Sequence, residues 1–164
     1  MNTDLLNLAN DTLASKMRLL AGTQYHSQPT PEIHLNQRGR IAGAAVLQNN
    51  IIRLQPKLFA QNVDYFLSDV IPHELAHLVV FHHFGKVRPH GREWQHVMQD
   101  VFAVPAQVKH QLDVTTIGIK SYEYYCACGS MLLSATRHNR IIAKKQVYHC
   151  RRCRQALVAS ADVT

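Results

Sequence analysis

The chain has 164 residues, a hydrophobic content of 46% and a formal net charge of +7. This length predicts one ordinary domain with at most a small second module, and this hydrophobic content argues against a disordered chain. No apolar run of the sequence reaches the roughly 18 residues that a membrane-spanning helix needs. The first residues also lack the basic and apolar regions of a secretory signal. We therefore expect a cytoplasmic protein without a membrane partner, in which the cysteines are reduced.

Leucine-rich helical spacing predicts a first helix over residues 5–21. Three short apolar runs with turn-like separators then predict a small antiparallel sheet, with strands near 33–35, 41–47 and 51–54. Helical patterns follow at 57–62, 64–84 and 91–102, and residues 122–158 are predicted to form short strands around the cysteines. Within the long helix, Pro72 predicts a kink or a restart, and Gly85 is a plausible end.

The segment PHELAH, at 72–77, contains an HExxH arrangement. On a helix, residues four apart lie on one face, so His73 and His77 can reach the same metal ion. Glu74 points about 100° round the helix and can act on a metal-bound water without ligating the metal. Zinc lowers the pKa of such a water to about 7, and a carboxylate base then accepts its proton. The pattern is typical of a zinc hydrolase with Glu74 as general base.

Catalytic zinc is usually held by three protein ligands, so a third ligand is expected downstream of the helix. His82 and His83 continue the same helix and point away from the His73 and His77 pair. His90 follows the break GKVRP and precedes a new helix, which allows it to approach from a second element. The sequence therefore favours His90 as third ligand, with Glu93 as the alternative.

All four cysteines lie in the C-terminal part, as a CxC at Cys126 and Cys128 and a CxxC at Cys150 and Cys153. Two such pairs around a strand-like stretch predict a zinc ribbon with a structural ion. The first pair departs from the usual CxxC, so His138 or His149 are alternative ligands. The remaining alternative is a small β-module with four reduced cysteines and no metal.

The positive charge is unevenly distributed. Residues 1–123 carry 11 Lys/Arg and 10 Asp/Glu, whereas residues 124–164 carry 7 Lys/Arg and a single acid. A small basic module of this kind predicts binding to nucleic acid through phosphate contacts. An ordinary solvated surface is the alternative. Tyr122, Tyr124, Tyr125 and Tyr148 can either stack on bases or pack the module.

Three stretches resemble the SprT family of zinc metallopeptidase-like proteins: VIPHELAHLVVFHHFGKVRPHGREW, RGRIAGAAVLQNNIIRLQPKLF and YHCRRC. The resemblance runs from about residue 15 to the end of the chain. It implies a zincin fold, zinc on His73, His77 and His90, and Glu74 as general base. It also implies a relation to Spartan, the eukaryotic DNA-dependent protease that degrades proteins crosslinked to DNA.

We thus predict an α+β protein with two domains. Residues 1–121 form a zincin-like domain with an N-terminal helix, a small antiparallel sheet and the HExxH helix, and residues 122–164 form a basic β-module resembling a zinc ribbon. The predicted function is that of a zinc metallopeptidase acting on a protein or peptide substrate at or near DNA. The alternative is a non-catalytic regulatory protein that binds zinc and nucleic acid.

Overall fold

The computed structural model describes residues 2–108 and 121–159 of the chain. It divides into two compact units, Met1–Ile117 and Gly118–Thr164. The division predicted after residue 121 stays a prediction. The connection between the units, residues 109–120, lies outside the described residues.

The first unit mixes helices with a three-stranded sheet. Its strands are β1 (Glu32–His34), β2 (Gly43–Val46) and β3 (Ile51–Leu54). Its α-helices are α1 (Asn2–Leu20), α2 (Pro56–Gln61), α3 (Val63–Tyr65), α4 (Ile71–Phe84) and α5 (Arg92–His96). A 3-10 turn at Leu47–Asn49 follows β2, and π-helical turns occupy Phe66–Val70 and Val97–Val101.

The strand order of this sheet is β1-β3-β2. The antiparallel pairing predicted for β2 and β3 is confirmed, since Gly43 lies opposite Leu54. The prediction is wrong for β1, which runs parallel to β3 with Glu32 opposite Ile51. The short turn after β2 reverses the chain, whereas the longer connection at 35–42 carries it past the end of β3 to the other edge. There the N–H of Gln37 donates to the carbonyl of Leu54 at 3.1 Å.

The predicted interruption at Pro72 takes the form of a change in helix type. The N–H of Ile71 donates to the carbonyl of Phe66, five residues back, which closes the π-helical turn. Pro72 has no N–H to donate, and α4 begins at this point with proline in its first turn. The helix ends before Gly85, whose φ is 68° and whose N–H donates to the carbonyl of Phe81 at 2.9 Å.

Helix α4 lies at the centre of the first unit, in contact with α1, β2 and α5. Its side chains are therefore buried on nearly every face in the N-terminal half: Ile71, Leu75, Ala76, Leu78 and Val79 are at most 2% exposed. Burial of this apolar surface is the main source of stability for the helix. It also holds the HExxH residues in a fixed place.

The second unit contains a sheet of strand order β5-β4-β6 and one helix. The elements are β4 (Ser121–Cys126), β5 (Gly129–Ser134), α6 (Ala135–Ile142) and β6 (Val158–Ala159). The prediction of strands throughout this module is wrong for α6. That segment is amphipathic at helical spacing, since Ile141 packs on the small core while Arg137 and Arg140 are exposed.

None of the helices within residues 2–108 and 121–159 combines the length and the hydropathy that crossing a bilayer requires. Location in the cytoplasm stays a prediction.

Candidate functional site

The first unit brings His73, His77 and His90 together. The three Nε2 atoms are 3.1–3.2 Å apart in each pairwise combination. His73 and His77 are presented by consecutive turns of α4, as their four-residue spacing predicted, and His90 approaches from the segment before α5. The cluster is positioned to bind one metal ion.

The chemistry of the three imidazoles fits a shared cation. A neutral Nε2 is either a donor or an acceptor. Among three mutually touching nitrogens, at least two must therefore both be donors or both be acceptors, and such a pair cannot form a hydrogen bond. Hydrogen bonds alone therefore cannot account for the whole cluster. Three nitrogens bound to zinc at bond lengths of about 2.0–2.1 Å in tetrahedral geometry would lie about 3.3 Å apart. The observed separations come close to that value. Burial, together with the charge of His90, lowers the pKa of His77 to about 4, which favours the neutral imidazole that a metal requires.

His90 owes its position to a tight turn in the backbone. Its own φ is 56°, in the left-handed region that non-glycine residues seldom adopt. The next residue closes the turn, because the N–H of Gly91 donates to the carbonyl of Arg88 at 3.1 Å. A Cβ at Gly91 would lie only 2.9 Å from that carbonyl oxygen, so glycine is required for the turn. The strained left-handed backbone conformation of His90 thus directs its ring to the cluster.

The other candidate ligands stay outside the cluster, as expected for His82 and His83. His82 is exposed, and the ring of His83 packs edge-on against Tyr25 with centroids 5.1 Å apart. The alternative third ligand, Glu93, is also absent from the cluster. His96, one turn further along, pairs with Asp100 at 2.6 Å instead.

Glu74 is buried beside the cluster, with 6% of its surface exposed. Desolvation raises the pKa of its carboxyl group to about 7, and a hydrogen bond from the backbone of Ala45 acts in the opposite direction. A carboxylate with a pKa near neutrality is suited to accept and return a proton at physiological pH. Strand β2 therefore contributes directly to the environment of this side chain.

Two residues of this site were not predicted from the sequence. Trp94 is 1% exposed, and its ring lies 4.7–5.6 Å, between centroids, from all three imidazoles. Its Nε1 donates to the carbonyl of His73 at 3.3 Å. Gly43 lies against Glu74, close enough that a Cβ there would be 3.2 Å from Oε1. The contribution of Trp94 was indicated by its position one helical turn after His90. Nothing in the sequence indicated the contribution of Gly43.

The second unit brings Cys126, Cys128, Cys150 and Cys153 together, with all sulfurs within 4.8 Å of one another. The CxC pair lies at a hairpin, in which Cys126 pairs with Gly129 across a two-residue turn. Gly129 has a φ of 116°, a conformation that favours glycine. The CxC spacing is thus compatible with convergence on the CxxC pair. Four sulfurs at these distances are positioned to hold a second metal ion.

Backbone amides at the CxxC turn favour the thiolate of Cys150. The N–H groups of Cys153 and Arg152 lower its pKa to about 6, and the second of these lies 3.4 Å from the sulfur. The alternative ligands take other roles. His138 stacks on Tyr122 with centroids 3.5 Å apart, and His149 forms a β-bridge with Ala156. Neither belongs to the sulfur cluster.

Comparison with known proteins shows the family of the chain. The sequence model of the SprT-like family matches residues 9–111. The chain belongs to the SprT-like family. It is 42% identical to Protein SprT of Vibrio parahaemolyticus over 96% of this chain and 95% of that protein. It is 44% identical to Protein SprT of Pasteurella multocida over 89% of this chain and 88% of that protein. No solved structure matches the chain significantly.

The matched SprT-like region contains the complete histidine cluster, and the match to the Vibrio relative extends over most of the second unit as well. Within residues 121–159 of that unit seven basic side chains are exposed: Arg137, Arg140, Lys144, Lys145, Arg151, Arg152 and Arg154. Of the four tyrosines, Tyr124 is fully buried in the small core and so packs the module. Tyr148 is partly exposed, with the guanidinium of Arg137 5.6 Å from its ring centroid.

Proposed function

We propose that the chain is a zinc-dependent peptidase whose second unit docks it on nucleic acid. The observation that carries the peptidase proposal is the burial of Glu74 directly beside three convergent imidazoles. Burying a carboxylate is costly unless the site uses it or pairs it. A cluster that served only to hold a metal would not need a buried carboxyl group next to its first ligand.

The residues of the histidine site have separate proposed roles. His73, His77 and His90 would hold the zinc ion, which supplies Lewis acidity toward water and toward the peptide carbonyl when it is bound. Glu74 would accept a proton from the attacking water and return it to the leaving amine. The Ala45 amide fixes one carboxylate oxygen of Glu74, and Trp94 packs the imidazoles in place.

The proposed docking role belongs to the second unit. A structural zinc ion on the four cysteines would stabilise a unit whose buried core, as far as residues 121–159 show it, consists of Tyr124, Leu133, Cys150 and Leu157. The exposed basic side chains would then form a fixed surface suited to phosphate contacts. Within residues 121–159 the seven exposed cations face a single acid, Glu123, so attraction to a polyanion is only slightly offset locally.

The test is cleavage of a basic DNA-binding protein by the zinc-loaded chain, with and without DNA. We expect fragments with the wild type, more of them when DNA is present, and none with Glu74→Gln. The non-catalytic alternative predicts instead that wild type and variant both bind zinc and DNA and that neither produces fragments. Fragments formed equally by the wild type and by Glu74→Gln would contradict the proposed mechanism.

A further inference from the structure

A cavity of about 210 Å³ opens beside the histidine cluster. It lies between α4, the turn after β2 and the segment 85–90. Two of the three clustered imidazoles, those of His77 and His90, form one wall. The other walls are largely apolar and consist of Leu47, Val80, Phe81, Val87, Pro89 and Trp94.

The inner wall of this cavity is held in place by the core. Trp94 and Val80 are 1% and 6% exposed, and the indole N–H is bonded to the carbonyl of His73. The outer wall is the turn that carries His90, closed by the hydrogen bond from Gly91 to Arg88. The cavity is therefore a preformed space bounded by the same residues that build the metal site.

The size and lining of the cavity define what it can bind. An apolar cavity of about 150 Å³ is large enough for benzene, so this one has room for a phenyl ring or a leucine side chain. No acidic residue from the described part of the chain lines it, and the cations that do, Lys86 and Arg88, are exposed. The deep part of the cavity thus offers apolar contacts and nothing that would pair with a buried charge.

The position of the cavity defines what that apolar group must be attached to. A group that fills it lies against His77 and His90, so it must be joined directly to whatever reacts at the cluster. In a peptide, only the side chain of a residue flanking the cleaved bond meets this condition. We infer that this cavity is the specificity pocket of the enzyme, and that it takes a large apolar side chain, phenylalanine or leucine, next to the cleaved peptide bond.

This inference rests on the proposed peptidase function, but it can be tested without cleavage. The zinc-loaded Glu74→Gln protein is titrated by calorimetry with acetohydroxamate and with hydroxamates that carry a phenyl ring on one, two or three methylene groups. The hydroxamate anchors each compound at the zinc, and the ring probes the cavity. We expect at least one aryl compound to bind roughly tenfold tighter than acetohydroxamate, as burial of one aromatic ring allows.

Two filling variants show whether the cavity is responsible. Leu47→Trp and Val87→Trp should each reduce the aryl preference toward unity while zinc content is unchanged. Ile41→Trp adds the same bulk at a side chain that is 59% exposed and does not line the cavity, so it should keep the preference. An aryl preference that survives both filling variants, or aryl compounds that bind no tighter than acetohydroxamate, would overturn the inference.

Cleavage of a peptide mixture by the wild type separates this inference from the peptidase proposal. The expected products share phenylalanine or leucine at one fixed position beside the cleaved bond, and Leu47→Trp shifts that preference to smaller residues. Cleavage that depends on Glu74 but shows no such preference overturns the pocket assignment alone. A cavity-dependent aryl preference without any cleavage shows that the cavity takes a large apolar group, but it contradicts the peptidase and with it the role as a specificity pocket.

Discussion

Gly43 lies directly against the side chain of Glu74. A Cβ at residue 43 would be 3.0 Å from Cγ of Glu74, 3.2 Å from its Oε1 and 2.9 Å from Cγ1 of Val70. The contact with Val70 is too short for a real Cβ and the two contacts with Glu74 are unusually tight, so strand β2 can approach α4 this closely only because residue 43 has no side chain. The glycine thereby sets the position of the proposed general base.

We predict that Gly43→Ala displaces Glu74 while leaving the histidine cluster loaded. Overpacking of this kind costs about 1–3 kcal/mol of stability, and a shift of about 1 Å at a catalytic group can cost about 100-fold in rate. Zinc content, thermal unfolding and cleavage rate should be measured together. Gly22→Ala is the matched control, since a Cβ there meets nothing within 4 Å. Full activity in Gly43→Ala would contradict the positioning role.

The ligand assignment predicts different outcomes for neighbouring histidines. His77→Ala should lose the zinc of the first unit, because two remaining ligands bind it weakly, and His90→Ala should weaken its binding. His82→Ala should retain the metal, since this exposed side chain lies outside the cluster. Zinc per chain after dialysis against a weak chelator gives the answer. Loss of metal in His82→Ala with retention in His90→Ala would show that the third ligand is wrongly assigned.

The cysteine cluster predicts a second, independent metal. Cys150→Ser should lower the zinc content by about one ion per chain and destabilise the second unit, because a unit with so small a core depends on its metal. The histidine zinc should stay. His149→Ala is the control, since this side chain is exposed and outside the cluster. If the wild type carries no second zinc, the four cysteines are reduced thiols and the ribbon assignment is wrong.

Nucleic-acid binding should depend steeply on salt and on the second unit. If three to five of the seven basic side chains contact phosphates, the slope of log K against log[salt] on duplex DNA is about −3 to −4.5. The double variant Arg137→Glu, Arg140→Glu should weaken binding and flatten that slope. Lys57→Glu, an exposed charge of the first unit, serves as control. A slope of log K against log[salt] near zero for the wild type would show that the basic residues form an ordinary solvated surface.

The parts of the site that follow local rules could be predicted from the sequence. The spacing of His73 and His77 is a property of any α-helix, and the break before His90 indicated a second element that turns back. The contributions of Gly43 and Trp94 could not be predicted in the same way. They depend on which strand packs against α4 and on how α5 crosses it, and these are contacts between residues far apart in the sequence.

The same distinction applies to the fold. The strands near residues 33, 43 and 52 were located by their apolar runs, but a run does not say which neighbour it pairs with. The parallel pairing of β1 with β3 depends on the path of the 35–42 connection. Helix α6 was missed because residues 135–142 were interpreted through the nearby cysteines, whereas the exposure of Arg137 and Arg140 opposite the packed Ile141 shows the helical period.

The most direct test of the central claim compares wild type, Glu74→Gln and Glu93→Gln, all loaded with zinc, on one peptide substrate. Glu93→Gln is the same chemical change in a carboxylate outside the cluster. We predict equal zinc content in all three proteins, unchanged turnover in Glu93→Gln, and a loss of about 100-fold to 10,000-fold in Glu74→Gln, as removal of a general base costs. Equal turnover by the wild type and Glu74→Gln would contradict the account.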